Sequence, residues 1–458
     1  MNETKELAEF IAEVSYQDLP GEVVEKTKGL ILDQLGCQLA FATLPWNNNI
    51  YKYIHARKGG KEESTLTYYG LKTIAEDAAL ANATFGHGFE MDDTELHTLT
   101  HPGSVVIPAA LALGEMNKVT GKEILTAVVV GYDAMLRVGM AARSMISRSF
   151  HGTGVAGPFG ATAAAGKILG FDRELMINAL GIAGSEASGI AEYTLSGGSV
   201  KRLHAGLAAQ SGVRATLLAQ IGLTGPSTVL EGKKGFCQAY ANEYYVEDIT
   251  NELGTEFRIL WTGNKPYCCC AAQHSTIDAA SKIKQNQIIE PNDIEEIVVR
   301  QMARDVRSVG NIIEPQDITS AQFSGRFGVA LRLIKGGNGF QDYTEKNIRD
   351  LELLKLARKV KYVVDDDLEK LSVGGAPAIL SVKLKNGTSY EQRVDYAKGT
   401  IQNPMTPGEL EDKFRGLASM VLSDKGVENV IRSVRELESL DNIGNLVSLL
   451  TFDAVNND

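Results

Sequence analysis

Residues 120–143 read TGKEILTAVVVGYDAMLRVGMAAR, and the reading of this stretch decides the fold class. Thr120 and Glu123 have the spacing of a capping box, in which a hydroxyl and a carboxylate satisfy the orphan N–H groups at a helix start. The residues that follow are apolar at helical spacing, so they predict a buried helix. Working outward, the same character extends from the start of the chain to about residue 260. FGATAAAGKIL (159–169) predicts a helix with Pro158 in its first turn and Gly170 at its end. Lys201 to Gln220 predicts another, closed by Gly222. These segments are rich in Ala and Gly, which implies helices in close approach rather than helices spaced by large side chains.

After Trp261 the pattern changes. Runs rich in β-branched residues appear at IEEIVVRQ (294–301), KVKYVV (359–364) and ILSVKL (379–384). The last is followed by Lys385-Asn-Gly387-Thr and then SYEQRVDY, a strong hairpin signal. From Thr406 the helical period returns. The expected architecture is mainly α: a large all-helical domain, discontinuous in sequence (1–263 and 401–458), interrupted by a smaller α+β lid domain (264–400). The length of 458 residues fits two domains better than one.

Composition narrows the function. With 44% apolar and 22% charged residues the chain has an ordinary globular balance, and no apolar run approaches bilayer-crossing length, so no membrane role is expected. The N-terminal MNETKELAEFIAEV lacks the features of a signal peptide, which points to a cytoplasmic location. A net charge of -11 argues against nucleic acid as a partner. Three of the five cysteines are the adjacent Cys268, Cys269 and Cys270, a spacing that suits neither a zinc site nor a disulfide in a reducing compartment.

Three stretches carry candidate chemistry. Only seven histidines occur, yet His87, His97 and His101 fall together with Glu90, Asp92, Asp93, Thr94 and Glu95. Carboxylates beside imidazoles tune a general base or bind a metal. The His97/His101 spacing of four would suit a zinc helix, but Pro102 disfavours helical backbone at His101, so no metal is expected. The second stretch, Ser149-Phe-His151-Gly-Thr-Gly-Val-Ala-Gly157, matches G-x-G-x-x-G without the preceding strand a dinucleotide fold requires. Its glycines predict a tight loop feeding a helix start, with His151 at the mouth. In the third, Gly197-Gly-Ser-Val-Lys201-Arg-Leu-His204-Ala-Gly206, Lys201 and Arg202 stand in a helix's first turn, against its dipole. A bound anion would explain them; side chains in solvent are the plain alternative. Lys265, in Lys265-Pro-Tyr267, adds a cation at the expected domain junction.

Together these stretches resemble the MmgE/PrpD family, whose pattern runs H-x-x-D-x-D-D-T, H-P, F-H-P-T, K-x-L-H-x-G, K-P-Y and F-S-x-x-Y. Here they stand in the same order as His87–Thr94, His101-Pro102, Phe150–Thr153, Lys201–Gly206, Lys265–Tyr267 and Phe323–Phe327. Glu90, Gly152 and Phe327 depart from the Asp, Pro and Tyr common at those places. The resemblance implies a homodimer with a cofactor-free site between a helical domain and a lid, acting on a small polycarboxylate. It implies catalytic roles for His101, His151, Lys201, Lys265 and Asp93, and substrate contacts from Glu90, Thr94, His97, Arg202, His204 and Arg326. The leading expectation is a lyase that dehydrates a hydroxy polycarboxylate such as 2-methylcitrate or citrate. Decarboxylation of the cis-aconitate type and epimerisation of the iminodisuccinate type are alternatives on the same fold, and a silent carboxylate-binding homologue is the alternative outside catalysis.

Overall fold

The capping box at Thr120 forms as its spacing implies: Thr120 Oγ1 accepts from the Glu123 N–H (3.3 Å), and Glu123 accepts from the Thr120 N–H (2.7 Å). The computed structural model describes residues 2–57, 60–370 and 375–452. The chain is mainly helical and divides into two compact units. The first comprises Met1–Gly88, Asp92–Thr262 and Thr406–Asp458; the second comprises Phe89–Met91 and Gly263–Met405.

Six helices carry the first unit's core: α1 (Gly21–Phe41), α2 (Ala75–Gly86), α3 (Gly103–Asn117), α4 (Gly121–Ala141), α5 (Gly152–Ile168) and α6 (Arg173–Glu186), joined by α7 (Val200–Gln220). Small residues let them approach closely. A Cβ at Gly131 of α4 would lie 2.9 Å from the Gly160 carbonyl oxygen, and one at Gly160 of α5 would lie 2.6 Å from Met135 Cβ. Only a residue without a side chain fits either place. The helices Pro407–Ala418 and Asp424–Arg435 return to pack on α1, where Lys413 forms a buried ion pair with Asp33 (2.5 Å).

Two expectations need correction here. Helix α4 is long and apolar enough to cross a membrane, so an apolar run of that length does exist. It is a core helix, with 94% of its most apolar window buried and its Asp133–Arg137 ion pair fully enclosed. Helix α5 begins at Gly152, so Gly152, Gly154 and Gly157 lie inside it rather than in a loop, and Pro158 falls in its second turn. The glycines serve packing: a Cβ at Gly154 would meet the Ser188 carbonyl oxygen at 2.5 Å, and one at Gly157 would meet Ala208 Cβ of α7 at 2.8 Å.

The second unit is built on a four-stranded sheet of β1 (Ile294–Gln301), β2 (Val360–Val364), β3 (Ala378–Leu384) and β4 (Ser389–Val394), in the order β2-β1-β3-β4. β1 pairs parallel with β2 and antiparallel with β3, and β3 and β4 form the hairpin foreseen at Asn386-Gly387. Its turn is of the bulged three-residue kind, with Gly387 at φ 89°. Helices α8 (His274–Asn286) and α9 (Gly325–Lys335) pack against this sheet.

Candidate active site

Four helix ends of the first unit meet at one place. α2 ends at Gly86 and hands over to His87; α3 starts at Gly103, just after His101-Pro102; α5 starts at Gly152, with His151 as its N-cap; and α7 carries Lys201 and His204 in its first two turns. Three of the four are N-termini, whose unpaired N–H groups and dipoles favour negative charge. The rings gather accordingly. His87 and His101 have centroids 4.8 Å apart, His151 lies 6.1 Å from His87 and 6.4 Å from His101, and His204 lies 5.2 Å from His151. All four are buried, as are Lys201 and Arg202, so the two cations do not point into solvent.

Each ring is held by its Nδ1. His87 donates to Asp92 Oδ2 (2.6 Å), which also accepts from Ser104 Oγ (3.1 Å). His101 donates to the backbone carbonyl of Asp93 (2.7 Å), which puts its proton on Nδ1 and its lone pair on Nε2. The backbone N–H of His101 donates to Thr153 Oγ1 (3.1 Å), tying the first histidine stretch to the start of α5. His151 and His204 share a hydrogen bond between their Nδ1 atoms (3.0 Å), and Tyr193 stands edge-on to both rings.

The electrostatics follow from burial under positive charge. Burial, then the charge of Lys201, then the neighbouring imidazoles hold His151 well below its ordinary value. His204 is lowered to about 4 by burial, then by His87 and Lys201. Asp93 moves the other way, raised to about 7 by burial and by the charge of Asp92, against the hydrogen bonds from Tyr132 and the Gly103 N–H. Its carboxylate accepts from Tyr132 (2.7 Å) and from Gly103 (3.0 and 3.1 Å). Asp93 therefore caps α3 with its side chain and orients His101 with its carbonyl.

The loop from His87 to Pro102 is shaped from within. Glu95 and Thr100 exchange backbone hydrogen bonds, and Leu99 adopts a left-handed backbone (φ 52°). The Glu95 carboxylate accepts from the N–H groups of His97 and Thr98 (both 2.8 Å) and from the Thr98 hydroxyl (2.7 Å). Burial pushes Glu95 up, but the His97 ring, first by its hydrogen bond and then by its charge, together with the His97 N–H and the Thr98 hydroxyl, outweighs it and holds the carboxyl below its usual range. His97 belongs to this framework: its Nδ1 bonds Glu95 (2.5 Å) and its ring lies 5.4 Å from Trp261, so it stands in a different contact set from the imidazole cluster. Thr94 is half-buried between Asp93 and Glu95. Arg202 also turns to structure, donating from Nε to the Gly88 carbonyl (3.3 Å) with its guanidinium 4.9 Å over the Trp46 ring.

The second unit holds the remaining candidates. Lys265 and Glu90, 2% and 1% exposed, form an ion pair at 3.5 Å. Glu90 has a left-handed backbone (φ 57°), and Gln322 secures its neighbours by donating to the carbonyls of Phe89 and Cys268 (both 3.0 Å). Tyr267 donates to Asp278 (2.5 Å). Phe327 is fully buried, 6.2 Å from the Tyr343 ring. Arg326, expected as a substrate contact, donates to the carbonyls of Gly310 (2.8 Å) and Val360 (2.5 Å), so its guanidinium anchors the start of β2. All five cysteines are free thiols.

With this geometry in hand, the kinship of the chain can be read. Residues 5–247 match the MmgE/PrpD N-terminal domain, and residues 267–439 match the MmgE/PrpD C-terminal domain. The chain belongs to the MmgE/PrpD family. Relatives include the cis-aconitate decarboxylase of Aspergillus terreus, 28% identical across 98% of this chain and 95% of that protein. Those of Homo sapiens and Mus musculus are each 28% identical across 98% of this chain, covering 94% and 93% of their own lengths.

Within the MmgE/PrpD N-terminal domain fall His87, His101, His151, Lys201 and His204; Lys265 lies just ahead of the C-terminal match. The sequence reading gave no role to His87, Asp92, Ser104, Tyr132 or Thr153, although His87 heads its first motif. Chemically, this MmgE/PrpD cluster offers imidazoles fixed in orientation, a buried ammonium and three helix N-termini. It can hold an anion and move protons beside it.

Proposed function

We propose that this MmgE/PrpD-family lyase decarboxylates a small unsaturated tricarboxylate of the cis-aconitate type at the His101–His151–Lys201 cluster. The observation that carries the reading is the joint burial of Lys201 with imidazoles at three helix N-termini, a setting whose ammonium and helix-start N–H groups suit a polyanion. Kinship over nearly the whole chain with proteins named cis-aconitate decarboxylase supports this reaction ahead of the dehydration first expected.

The chemistry asks for what the cluster has. In cis-aconitate one carboxylate sits on a saturated carbon next to the double bond. Breaking that carbon–carbon bond releases carbon dioxide and leaves an electron pair that spreads through the double bond into the far carboxylate as a dienolate. Lys201 stabilises this charge, an effect that is largest in a site shielded from water. A proton delivered to the carbon beside the far carboxylate completes an unsaturated diacid. His101 is assigned this delivery: its Nδ1 proton stays committed to the Asp93 carbonyl, so Nε2 takes up a proton from solvent beforehand and, from the imidazolium, gives it to that carbon. His151 and His204 steady the second face of the substrate.

One observation favours a second reading. The depressed His151 and His204 rest unprotonated at neutral pH, the state a base needs to start dehydration of a hydroxy polycarboxylate. Incubating the purified chain with cis-aconitate, citrate and 2-methylcitrate separates the two. Carbon dioxide release from cis-aconitate is the expected result. Loss of water from either hydroxy acid, with no carbon dioxide from cis-aconitate, would replace decarboxylation by dehydration.

A further inference from the structure

His87, His101 and His151 each present one ring nitrogen such that all three lie within 4.8 Å of one another. This is not the pair that sequence spacing singled out, since His97 turns to Glu95 and Trp261. We propose that these three histidines bind a divalent transition-metal ion, zinc foremost, and that its occupancy switches the enzyme off by taking the nitrogens needed for proton transfer. The proposal rests on the preceding reading only for its inhibitory half; the binding stands on the ligand set itself.

Three features of the set point to a metal. The donors are all imidazoles, which suit zinc, copper and nickel, and three protein ligands leave a fourth position for water or a substrate carboxylate. Metal-bound histidines characteristically hold their second nitrogen against a carboxylate or carbonyl, and two of these rings do so: His87 on Asp92, itself braced by Ser104, and His101 on the Asp93 carbonyl. The third bonds His204, and ligation fixes His151 as the donor in that pair, freeing its Nε2 lone pair.

The most telling feature is His87. Its Nδ1 proton is given to Asp92, so Nε2 carries a lone pair, and in a fully buried ring that nitrogen has no hydrogen-bond partner among the described residues. A buried acceptor left in that state is costly. A metal ion satisfies it. Zinc–nitrogen bonds of about 2.0–2.1 Å in tetrahedral geometry put ligand nitrogens about 3.4 Å apart, so the rings need to close by roughly 1 Å. The Asp92 carboxylate offsets part of the added charge, while Lys201 opposes it, which predicts an affinity below that of a dedicated zinc enzyme.

The test uses the full chain, stripped with EDTA and freed of citrate, titrated with Zn²⁺ by calorimetry and with Co²⁺ by visible absorption. One equivalent should bind, with cobalt d–d bands and without thiolate-to-cobalt charge transfer. His87→Ala should weaken binding by about 100-fold, and Asp92→Asn by about 10-fold, the usual cost of an outer-shell partner. His87→Gln, checked for its fold by circular dichroism, should behave as His87→Ala does. The variant Cys268→Ser/Cys269→Ser/Cys270→Ser should bind as the parent does. Absence of one-to-one binding, a thiolate charge-transfer band, or unchanged affinity in both folded His87 variants would overturn the site. Where turnover is measurable, one equivalent of Zn²⁺ should abolish it and EDTA should restore it. Full turnover with zinc bound would overturn the inhibitory role alone.

Discussion

Lys201 and Lys265 are both buried lysines, 4% and 2% exposed, and they are set in opposite surroundings. Lys201 lies among imidazoles at a helix N-terminus, and its charge adds to burial in holding His151 and His204 down. Lys265 stands 3.5 Å from the Glu90 carboxylate, which offsets its charge within the second unit. A buried cation beside imidazoles at helix N-termini is placed for an incoming anion, and one 3.5 Å from a carboxylate also contributes to its own unit's integrity. The MmgE/PrpD pattern treats the two lysines alike; their environments separate them.

Substitutions can break this contrast. Lys201→Met should lower kcat/KM by about 10³-fold, roughly 4 kcal/mol of transition-state stabilisation. The same change should leave the far-UV circular dichroism of the parent, so that the loss is read on a folded enzyme. Lys265→Met should cost about 3 kcal/mol in urea unfolding, since it leaves Glu90 charged and buried. The double variant Lys265→Met/Glu90→Met should recover most of that loss. Equal stability in Lys265→Met and the parent would remove the pair from the account.

A smaller effect distinguishes the carboxylates. Asp93 keeps its proton to about pH 7 when folded but loses it near 3.8 when unfolded, so between those values the folded state binds more protons. Its contribution to stability therefore falls as pH rises through that window, by about 1 kcal/mol per pH unit at the steepest. Asp93→Asn lacks this slope, so its stability relative to the parent should improve from about pH 5 to about pH 7.5, as read by thermal unfolding across buffers. The smallest effect is expected at Arg326. Arg326→Gln should cost about 1 kcal/mol or less through the lost carbonyl bonds and leave KM unchanged. A raised KM would return Arg326 to the substrate.

What the sequence made legible was local. The Thr120 cap, the Asn386-Gly387 hairpin and the helix from Val200 follow from neighbouring residues and formed as expected. The glycines of 152–157 were read as a loop because their reason is tertiary: the Ser188 carbonyl and Ala208 leave no room for side chains on α5. The backbone partners of Arg202 and Arg326, namely Gly88, Gly310 and Val360, are invisible to spacing along the chain. His87 was passed over for a related reason. Its importance appears only when the loop folds Asp92 back onto its ring and brings His101 and His151 alongside. The His101, His151 and Lys201 motifs could be picked out along the chain, but their convergence rests on the packing of α2, α3, α5 and α7.

The most direct test of the cluster as a site of proton and charge chemistry is proton NMR of cis-aconitate incubated with the parent chain and with Lys201→Met in deuterated water. The account predicts that the parent converts it to an unsaturated diacid carrying one solvent deuterium on the carbon that receives the proton, and that Lys201→Met does so about 10³-fold more slowly. Conversion at equal rates by both, or a product without deuterium, would contradict it.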